Sequence, residues 1–490
     1  MAGKAKITSF TAKTNVLEFI GREKELAVLT KLRKSSAPAF VAIYGRRRVG
    51  KTYLIRQAFD NKFDFQLTGL ANGSLNQQLV NFNYAIAKSA PQLALKVPAN
   101  WQEAFQQLIN LLEQSTSARR VVFIDELPWL DTPNSGFITG LEHFWNAWAS
   151  AGKNIILIVC GSAAGWMISK LINNKGGLHN RVTQRIRVEP FTLRECEEFF
   201  RRKSAVYDRY QLVLLYMVMG GIPFYLDQVN TGKSAAQNIN TLCFEPDGIL
   251  RAEFENLYRS LFQHPEKHIQ LIEVLGKKAR GLNREELIKA SGLTGGGGLS
   301  RLLQELEESG FIRKYPSFGT TEKKHLYQLI DCYSLFYLKM IRGTTTMDAN
   351  NWIAGLDSPD QRAWSGYAFE QVCLLHLDEI KKSLGISGVQ TNTASWKSRG
   401  TGKGAQIDLL IDRRDHVINI CEIKFSLNTF TIDKKYAEAL RNKLQVFREE
   451  SRSRKSLFLT MITTFGLTTN QYAGPVVQND LTMDALFEPK

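Results

Sequence analysis

Short apolar runs alternate with amphipathic stretches through the first half of this chain. Residues 39–44, 121–124 and 155–160 are apolar and are followed by polar or glycine residues, which predicts buried strands. Between these runs, residues 75–90 and 101–114 carry apolar side chains at helical spacing. Strands that alternate with helices predict an α/β fold with a parallel sheet and crossover helices.

The middle of the chain has a different pattern. Residues 284–291 and 299–309 predict two short helices around a glycine-rich turn. Residues 311–316 and 326–330 then predict two strands around a polar turn. Helix, turn, helix and β-hairpin in this order predict a winged helix.

A Thr-, Asn- and Gly-rich linker follows, and the periodicity after it predicts another α/β unit. Residues 364–380 predict a long helix, and residues 406–412 and 417–426 predict a β-hairpin. Residues 434–454 predict a basic helix. A length of 490 residues agrees with about three domains at ~150 residues each.

Composition narrows the class of protein. The chain is 44% hydrophobic and 22% charged, which excludes collagenous and disordered chains. Its six cysteines include no CxxC pair, so we expect reduced thiols in the cytoplasm rather than a zinc site or a disulfide framework. Residues 1–15 lack the apolar core of a signal peptide, and no apolar run approaches ~20 residues, so we expect no membrane contact.

The charge balance points to an anionic partner. The chain has 63 Lys and Arg against 47 Asp and Glu, a formal net charge of +16. Nucleic acid is the commonest partner of such a chain, so we expect DNA. Basic composition without a specific partner is the alternative.

Residues 45–52 match the phosphate-binding pattern GxxxxGK[ST] between a predicted strand and a predicted helix. Backbone N–H groups of such a loop form an anion site together with the helix N-terminus. We expect Lys51 to contact the β- and γ-phosphates of ATP and Thr52 to coordinate Mg²⁺. The other nucleotide-binding candidates in the loop are Gly45, Arg48, Val49 and Gly50.

A carboxylate pair, Asp125-Glu126, follows the second apolar strand. Asp125 would hold Mg²⁺ through water, and Glu126 would orient or deprotonate the attacking water. A helix-capping role for the pair, and nucleotide binding without turnover, are the alternatives.

Two further candidates belong to the same site. Ser162 follows the third strand, where it would sense the γ-phosphate or simply occupy a turn. One of Arg181, Arg185 and Arg187 would act as an arginine finger, in cis or from a neighbouring subunit, and Arg181 is the preferred candidate. A surface position for all three arginines is the alternative.

The predicted winged helix leaves its role open. Its second helix carries three carboxylates whose charge opposes contact with a phosphate backbone. They are Glu305, Glu307 and Glu308. Its hairpin is basic instead, with Arg313, Lys314, Lys323 and Lys324. A packing or nucleotide-responsive role and DNA contact through the hairpin are both compatible with this pattern.

The predicted C-terminal hairpin carries charged side chains on otherwise apolar strands. Asp408 interrupts one strand, and Glu422 and Lys424 share one face of the other. Burial of such groups is costly without a function. We expect Asp408 and Glu422 to bind Mg²⁺ or Mn²⁺ beside a phosphodiester, and Lys424 to stabilise developing charge. Glu370, on the preceding helix, would support a second ion, and a buried ion pair without catalysis is the alternative.

The basic helix that follows would suit a phosphate backbone beside this site. Its cations are Lys434, Lys435, Arg441, Lys443, Arg448, Arg452 and Arg454. A solvated charged face is the alternative. No sequence-reading pattern is present, so any DNA preference would be for structure or ends.

Four motifs together resemble the archaeal-type ATPases of the AAA+/STAND group, and the resemblance extends over nearly the whole chain. The motifs are the GREKEL stretch at residues 21–26, the Arg-rich P-loop, the Asp125-Glu126 strand end and Gly-Gly-Ile-Pro at residues 220–223. The resemblance implies that Gly21 and Arg22 lie near the nucleotide base and that Pro223 of a helical lid contacts the nucleotide.

The C-terminal pattern Glu370, Asp408, Glu422-Ile423-Lys424 resembles the PD-(D/E)xK nuclease superfamily, which includes archaeal Holliday-junction resolvases. One departure is Ile407, where many members have proline before the aspartate. The resemblance implies a restriction-endonuclease-like fold with a metal-dependent nuclease site.

These patterns predict a P-loop ATPase that regulates a DNA nuclease domain in the same chain, with assembly into a homo-oligomer as an open expectation. The alternative is a nucleotide-switched regulator whose nuclease-like domain only binds; a threading motor is disfavoured because no substrate-threading loop is identifiable. The expected segments are an ATPase core at 1–190, a lid at 191–265, a winged helix at 266–342, a linker at 343–363 and a nuclease-like domain at 364–490.

Overall fold

The fold is known from a computed structural model, which describes residues 19–91, 96–152, 154–262, 264–278, 280–319, 325–344, 350–398 and 404–488. Its first unit is a five-stranded sheet of β1 (Ala39–Tyr44), β2 (Phe65–Thr68), β3 (Arg120–Asp125), β4 (Ile155–Gly161) and β5 (Gln184–Arg187). The strand order is β2-β3-β4-β1-β5, and every pairing is parallel. The predicted parallel sheet is therefore confirmed.

Helices cover both faces of this sheet. They are α1 (Glu23–Lys34), α2 (Lys51–Ala58), α3 (Leu75–Ser89), α4 (Trp101–Gln114), α5 (Phe137–His143) and α6 (Ala164–Trp166). Side chains alternate along β1, so Val41 and Ile43 enter one hydrophobic core while Phe40 and Ala42 enter the other. Burial on both faces explains why the central strands β1, β3 and β4 are largely apolar, whereas the edge strand β5 carries exposed arginines.

A helical segment follows the sheet. It contains α7 (Leu193–Arg202), α8 (Arg209–Met219), α9 (Pro223–Asp227), α10 (Ala235–Cys243) and α11 (Glu253–Leu261). Thr192 and Ser234 cap α7 and α10 with capping boxes, in which the cap side chain accepts from the backbone N–H three residues on and the side chain of that residue accepts from the backbone N–H of the cap.

The third segment has the order helix, helix, helix, hairpin, helix. Its elements are α12 (Pro265–Gly276), α13 (Arg284–Ser291), α14 (Gly297–Glu308), β6 (Ile312–Pro316), β7 (His325–Leu329) and α15 (Cys332–Phe336). β6 and β7 are antiparallel, and Leu282 pairs with Tyr327 as a third, isolated bridge. The predicted helices and strands are present at nearly the expected bounds.

The hairpin of this segment packs against the C-terminal sheet. This packing bears on the prediction that its basic residues contact DNA. Arg313 donates to Gln328 Oε1 at 2.8 Å, and burial lowers the pKa of its guanidinium. Ser317 bridges to Ser395 of the C-terminal unit. Arg313 is therefore partly buried and engaged by Gln328, whereas Lys314 is exposed. Lys323 and Lys324 lie outside the described residues.

The C-terminal unit is a mixed five-stranded sheet with helices. It contains α16 (Asn351–Ala354), α17 (Pro359–Leu375), α18 (Leu377–Ser383), β8 (Thr391–Lys397), β9 (Gln406–Arg413), β10 (Val417–Lys424), α19 (Lys434–Ser451), β11 (Ser456–Thr463) and β12 (Asn479–Thr482). The order is β12-β11-β10-β9-β8, with β8, β9 and β10 antiparallel and β10, β11 and β12 parallel.

The region expected to be a linker is packed where the structure describes it. Trp352 of α16 is buried and stacks edge-on against Phe336 and Trp364, with ring centroids 5.2 and 5.4 Å away. α17 begins at Pro359 rather than at residue 364, because Ser358 caps it and proline is favoured in the first turn.

No helix in the described part of the chain is both long enough and apolar enough to cross a bilayer.

Candidate functional site

The loop at residues 45–50 joins the buried strand β1 to the N-terminus of α2. Gly45 has φ +142° and a Cβ there would stand 2.3 Å from the carbonyl oxygen of Val188, so only glycine fits. Gly50 has φ +90° and caps α2. Arg48 has φ +68°, so the loop also places one side-chain residue in the left-handed region. These conformations give the loop its tight curvature around the start of α2.

Lys51 is buried at the centre of this loop. Its Nζ donates to the carbonyl oxygens of Gly45 at 3.0 Å and Arg46 at 2.8 Å. A third bond runs to Ser162 Oγ at 3.0 Å, at the end of β4. The ammonium therefore lies between the loop and the carboxyl edge of the sheet, where a phosphate bound by the loop would be in its reach.

The predicted carboxylates, Asp125 and Glu126, lie at the same edge of the sheet and contact Thr52 and Ser162. Thr52 Oγ1 donates to Asp125 Oδ2 at 2.8 Å, so the two predicted Mg²⁺-binding residues are in direct contact. Ser162 Oγ donates to Glu126 Oε1 at 2.8 Å, and the Ser162 backbone N–H donates to Oε2 at 3.2 Å. The structure thus brings all five predicted residues, Lys51 included, to one edge of the sheet.

Gly21 and Arg22 contact this site from the N-terminal side. A Cβ at Gly21 would lie 2.1 Å from Glu195 Oε1, and both residues have φ +62°. The buried Arg22 guanidinium donates to the carbonyl oxygen of Val49 at 3.4 Å and stands 5.1 Å from the ring centroid of Phe191. These contacts join the stretch before α1 to the P-loop, to α7 and to the residues that precede α7.

The helical segment α7–α11 contacts the loop through Arg48. Pro223 begins α9, and the next residue, Phe224, stacks against the Arg48 guanidinium at 4.3 Å. Arg48 also forms a 2.5 Å ion pair with the buried Glu253, which accepts a hydrogen bond from Tyr225 at 3.0 Å. Pro223 is therefore adjacent to the loop contact rather than part of it.

Arg46 connects the loop to the third segment. It forms a buried ion pair with Asp331, which caps α15 by accepting from the Ser334 N–H at 2.8 Å. Its guanidinium lies 5.0 Å from the Phe311 ring centroid. The sequence did not lead us to Arg46, Glu253 or Asp331; the available signal was a run of three arginines at positions that the motif leaves free.

Arg181 is exposed on the segment that leads into β5, as are Arg185 and Arg187 within the strand. Arg187 pairs with Glu189 at 2.7 Å. The structure therefore does not place Arg181 among the P-loop residues described above.

The sequence comparisons agree with this site. A family model described as an ATPase domain predominantly from Archaea matches residues 19–229. This segment is therefore similar in sequence to archaeal-type ATPase domains. The match supports ATP binding and hydrolysis by the domain, and Mg²⁺ is the usual companion of the nucleotide.

Similar proteins include two from Methanocaldococcus jannaschii. An uncharacterised protein is 25% identical over 414 residues, which is 83% of this chain and 87% of that protein. An uncharacterised ATP-binding protein is 38% identical over 47 residues, which is 10% of this chain and 80% of that protein. Among solved structures, a Walker-type ATPase of Pyrococcus abyssi aligns with 68% of this chain and 99% of its own, at 18% identity and a TM-score of 0.48.

Beyond the ATPase domain, the charged residues of the C-terminal hairpin come together. Glu422 of β10 is largely buried and pairs with Lys424 at 3.0 Å. Asp408 of β9 accepts from Gln406 at 2.6 Å. The charges of Asp408, Lys424 and Glu422 all act on Glu370 of α17, so the four predicted residues form one cluster.

The pKa values of this cluster are shifted in opposite directions. Burial, and then the charge of Asp408, raise the pKa of Glu370 to about 8. Burial also acts to raise the pKa of Glu422, but Lys443 and Lys424 outweigh it, so the net shift is downward. One carboxyl is thus held protonated near neutral pH while another is held ionised.

Two contacts of Glu422 come from α19. The Tyr436 hydroxyl donates to Oε1 at 2.7 Å, and Lys443 Nζ donates to Oε2 at 2.5 Å. The sequence predicts Lys443 on a phosphate-binding face and did not lead us to Tyr436. Their spacing of seven residues, two helical turns on one face, was the signal.

The donor sets fit divalent metals only in part. Thr52 and Asp125 supply the hydroxyl and carboxylate that Mg²⁺ takes beside a nucleotide, and Asp408 and Glu422 supply hard oxygen ligands. No group of three or more His, Cys, Asp or Glu side chains among the described residues is arranged to hold a metal by itself. Both candidate sites would therefore need phosphate or water oxygens to complete a metal's coordination.

Proposed function

We propose that this protein hydrolyses ATP and that its nucleotide state regulates a metal-dependent DNA nuclease site in the C-terminal domain. The observation that carries the ATPase part is the meeting of Lys51, Thr52, Asp125 and Glu126 at one sheet edge. The nuclease part rests on the cluster of Glu370, Asp408, Glu422 and Lys424.

In the ATPase domain, the loop N–H groups and Lys51 bind the phosphates, and Thr52 and Asp125 hold Mg²⁺. Mg²⁺ neutralises phosphate charge when bound. Glu126 orients the attacking water, and Ser162, which contacts both Lys51 and Glu126, senses the γ-phosphate. Gly21 and Arg22 lie near the nucleotide base, and Pro223 of the lid contacts the nucleotide. The other loop residues in this assignment are Gly45, Arg48, Val49 and Gly50.

Arg181 serves in this proposal as an arginine finger supplied to a neighbouring subunit. Its exposure is compatible with action in trans. A homo-oligomer is the assembly that such a finger requires.

In the nuclease-like domain, Asp408 and Glu422 are the metal ligands, and Glu370 supports a second ion. The metal polarises the phosphate and lowers the pKa of its water when bound. Lys424 stabilises the charge that develops on the phosphate. The exposed cations of α19, together with the net charge of +16, favour DNA as substrate.

We assign the ATPase core to residues 1–190, the lid to 191–265, a winged helix to 266–342 and the nuclease-like domain to 364–490. In this assignment, α14 packs against other parts of the protein and does not read DNA. Glu305 accepts from His268 at 2.9 Å, and a Cβ at Gly165 of α6 would lie 2.8 Å from Glu305 Cγ. This helix therefore contacts the ATPase core.

A second candidate is a nucleotide-switched regulator with an inactive nuclease-like domain. The observation that favours it is the pairing of both Glu422 oxygens with Lys424, Lys443 and Tyr436. Such a satisfied carboxylate is also what a structural ion pair needs.

The test is cleavage of supercoiled and branched DNA with Mg²⁺ or Mn²⁺, with and without ATP. We expect Asp408→Ala to abolish cutting and retain ATP hydrolysis, and Lys51→Ala to lose nucleotide binding and the response of cutting to ATP. Matched controls are Asp415→Ala, an exposed carboxylate on the turn of the same hairpin, and Lys62→Ala, an exposed lysine of the ATPase domain.

The outcomes separate the two candidates. Wild-type cutting that persists in Asp408→Ala would place the nuclease site elsewhere. ATP hydrolysis without cutting of any substrate would favour the switch, which further predicts a different mass or DNA affinity with ATP than with ADP.

A further inference from the structure

Glu422 offers few open positions to a cation. A carboxylate oxygen has two lone-pair directions. Oε1 of Glu422 is approached by the Tyr436 hydroxyl at 2.7 Å and by Lys424 Nζ at 3.0 Å. Oε2 is approached by Lys443 Nζ at 2.5 Å among the described residues. The remaining ligand direction of Glu422 is therefore on Oε2, beside Lys443.

Lys443 is built into this position by its helix. Asp433 caps α19 and accepts from the Tyr436 N–H at 2.7 Å. Ala437, Leu440 and Phe447 are its buried residues, so the helix is anchored through them on the sheet. Tyr436 and Lys443 project from the same anchored side, and their side chains are partly buried where they contact Glu422.

The flexibility of lysine distinguishes Lys443 from a fixed structural partner. Its ammonium is a point charge on a four-carbon stem with three donors, so it can exchange one oxygen partner for another. A divalent cation at Oε2 would repel this ammonium at close range, whereas a phosphate oxygen beside the cation would attract it.

We propose that Lys443 is a second lysine of the nuclease site: it positions the Glu422 carboxylate before loading and transfers to the phosphate when metal and DNA bind. The inference rests on the proposed nuclease function and deepens it. Lys424, from the strand, and Lys443, from the helix, then contact the phosphodiester from two sides. No bond forms or breaks at Lys443, which remains a cation throughout.

The inference predicts competition between Lys443 and metal for Glu422. Lys443→Met removes the ammonium and keeps much of the stem. We expect the affinity for Mn²⁺ alone, measured by calorimetry without nucleotide or DNA, to rise by about tenfold or more, because a repulsive charge has been removed. Asp408→Ala defines which part of the Mn²⁺ signal belongs to this site.

The same variant should lose catalysis. We expect kcat for DNA cleavage to fall by about 30-fold or more, as is usual when a charged stabilising group is removed, while KM for DNA stays within about threefold. Lys443→Arg keeps the charge and should keep the wild-type Mn²⁺ affinity. Lys397→Met, which removes one exposed charge from β8 of the same sheet, should change neither quantity.

A smaller change at the same carboxylate tests whether the charge of Lys443, and not merely the loss of a contact to Glu422, sets the Mn²⁺ affinity. Tyr436→Phe frees one direction of Oε1 without changing charge, so its Mn²⁺ affinity should change less than that of Lys443→Met. An Mn²⁺ affinity of Lys443→Met equal to that of the wild type overturns the inference, and so does the absence of Asp408-dependent binding in both proteins. If Mn²⁺ binds as expected but wild type cuts no DNA, the positioning role stands and the nuclease proposal fails.

Discussion

The carboxyl of Glu370 has a pKa raised to about 8, because burial and the charge of Asp408 both disfavour its ionised form. An unfolded chain would ionise this group near pH 4.5. Between these values the folded protein binds the proton more strongly than the unfolded chain. The stability contributed by Glu370 is therefore fully present below about pH 4.5 and is lost as the pH rises towards 8.

Glu370→Gln should remove this pH dependence. Without metal, the variant should match the wild type near pH 5 and become progressively more stable than it towards pH 8. The limiting slope of the difference is about 1.4 kcal/mol per pH unit. Urea unfolding at several pH values in the presence of a chelator measures it. Glu438→Gln, at an exposed position on α19, is the control, and a difference between Glu370→Gln and wild type that does not vary with pH contradicts the shift.

At the scale of an element, the Gly-Gly-Ile-Pro turn joins α8 to α9 within the helical segment that we propose as the lid. Gly220 ends α8 with φ +63°, and Gly221 follows with φ +69°. The carbonyl oxygen of Gly221 accepts from the Phe191 N–H at 2.8 Å. Phe191 in turn stacks with Arg22, so this turn connects the lid to the stretch that contacts the P-loop.

The two glycines should respond differently to alanine. Either substitution costs about 1–2 kcal/mol for the left-handed backbone. A Cβ at Gly221 would also lie 2.1 Å from the backbone oxygen of Phe191, whereas at Gly220 the nearest atom is a side-chain carbon at 3.3 Å. Gly221→Ala should therefore lose about 1–3 kcal/mol more stability than Gly220→Ala, and more ATP affinity. Urea midpoints and nucleotide titration check this, and equal losses in the two variants would show that the contact is not tight.

The elements themselves were largely predictable from periodicity. β1, α4 and α13 have the expected bounds. They could be predicted because an element that is buried on one or both faces needs apolar residues at regular spacing. The C-terminal bound of α17 differs from the predicted one. It ends at Leu375 instead of continuing to residue 380, because His376 turns inward and its Nε2 accepts from the Leu193 N–H at 3.0 Å. A contact across 183 residues leaves no local pattern.

The candidate sites divide in the same way. Lys51, Thr52 and Asp125 could be predicted because phosphate chemistry requires those residue types at fixed places after strands. The partners of Arg46 and Arg48 could not be predicted. Asp331, which pairs with Arg46, lies 285 residues further along the chain, and Glu253, which pairs with Arg48, lies about 205 residues further along. Tertiary folding alone brings them to the loop.

At the scale of the molecule, packed contacts connect the two candidate sites. Arg46 of the P-loop pairs with Asp331, which caps α15. Phe336 at the end of α15 packs on Trp364 of α17, with ring centroids 5.0 Å apart. α17 carries Glu370 and contacts the strand of Glu422, where Phe369 and Phe425 lie 5.4 Å apart. These contacts form a continuous chain of packed residues from the P-loop to the C-terminal cluster, along which we expect nucleotide binding to act.

The Arg46–Asp331 pair is the point at which this route can be cut. Arg46→Met alone leaves the Asp331 carboxylate buried without its cation and should cost about 3 kcal/mol of stability. Arg46→Met with Asp331→Asn removes both charges and should recover much of that loss, since no buried charge is then left unpaired. The double variant is therefore the protein in which communication can be measured without a folding defect.

Hydrogen exchange of the α17 amides, with and without ATP, measures this communication even if no DNA is cut. In the wild type, ATP should change the exchange rates of α17. In the double variant, ATP should still bind, because Lys51 and Thr52 are intact, but the exchange of α17 should no longer depend on it.

Arg33→Met with Asp60→Asn is the control. It removes a 2.7 Å ion pair that is about half exposed, so it should cost under about 1 kcal/mol and preserve the response of α17 to ATP. An undiminished response of α17 in the Arg46–Asp331 double variant would mean that the nucleotide acts on the C-terminal domain by another route, with the lid contact of Arg48 and Glu253 as the next connection to cut.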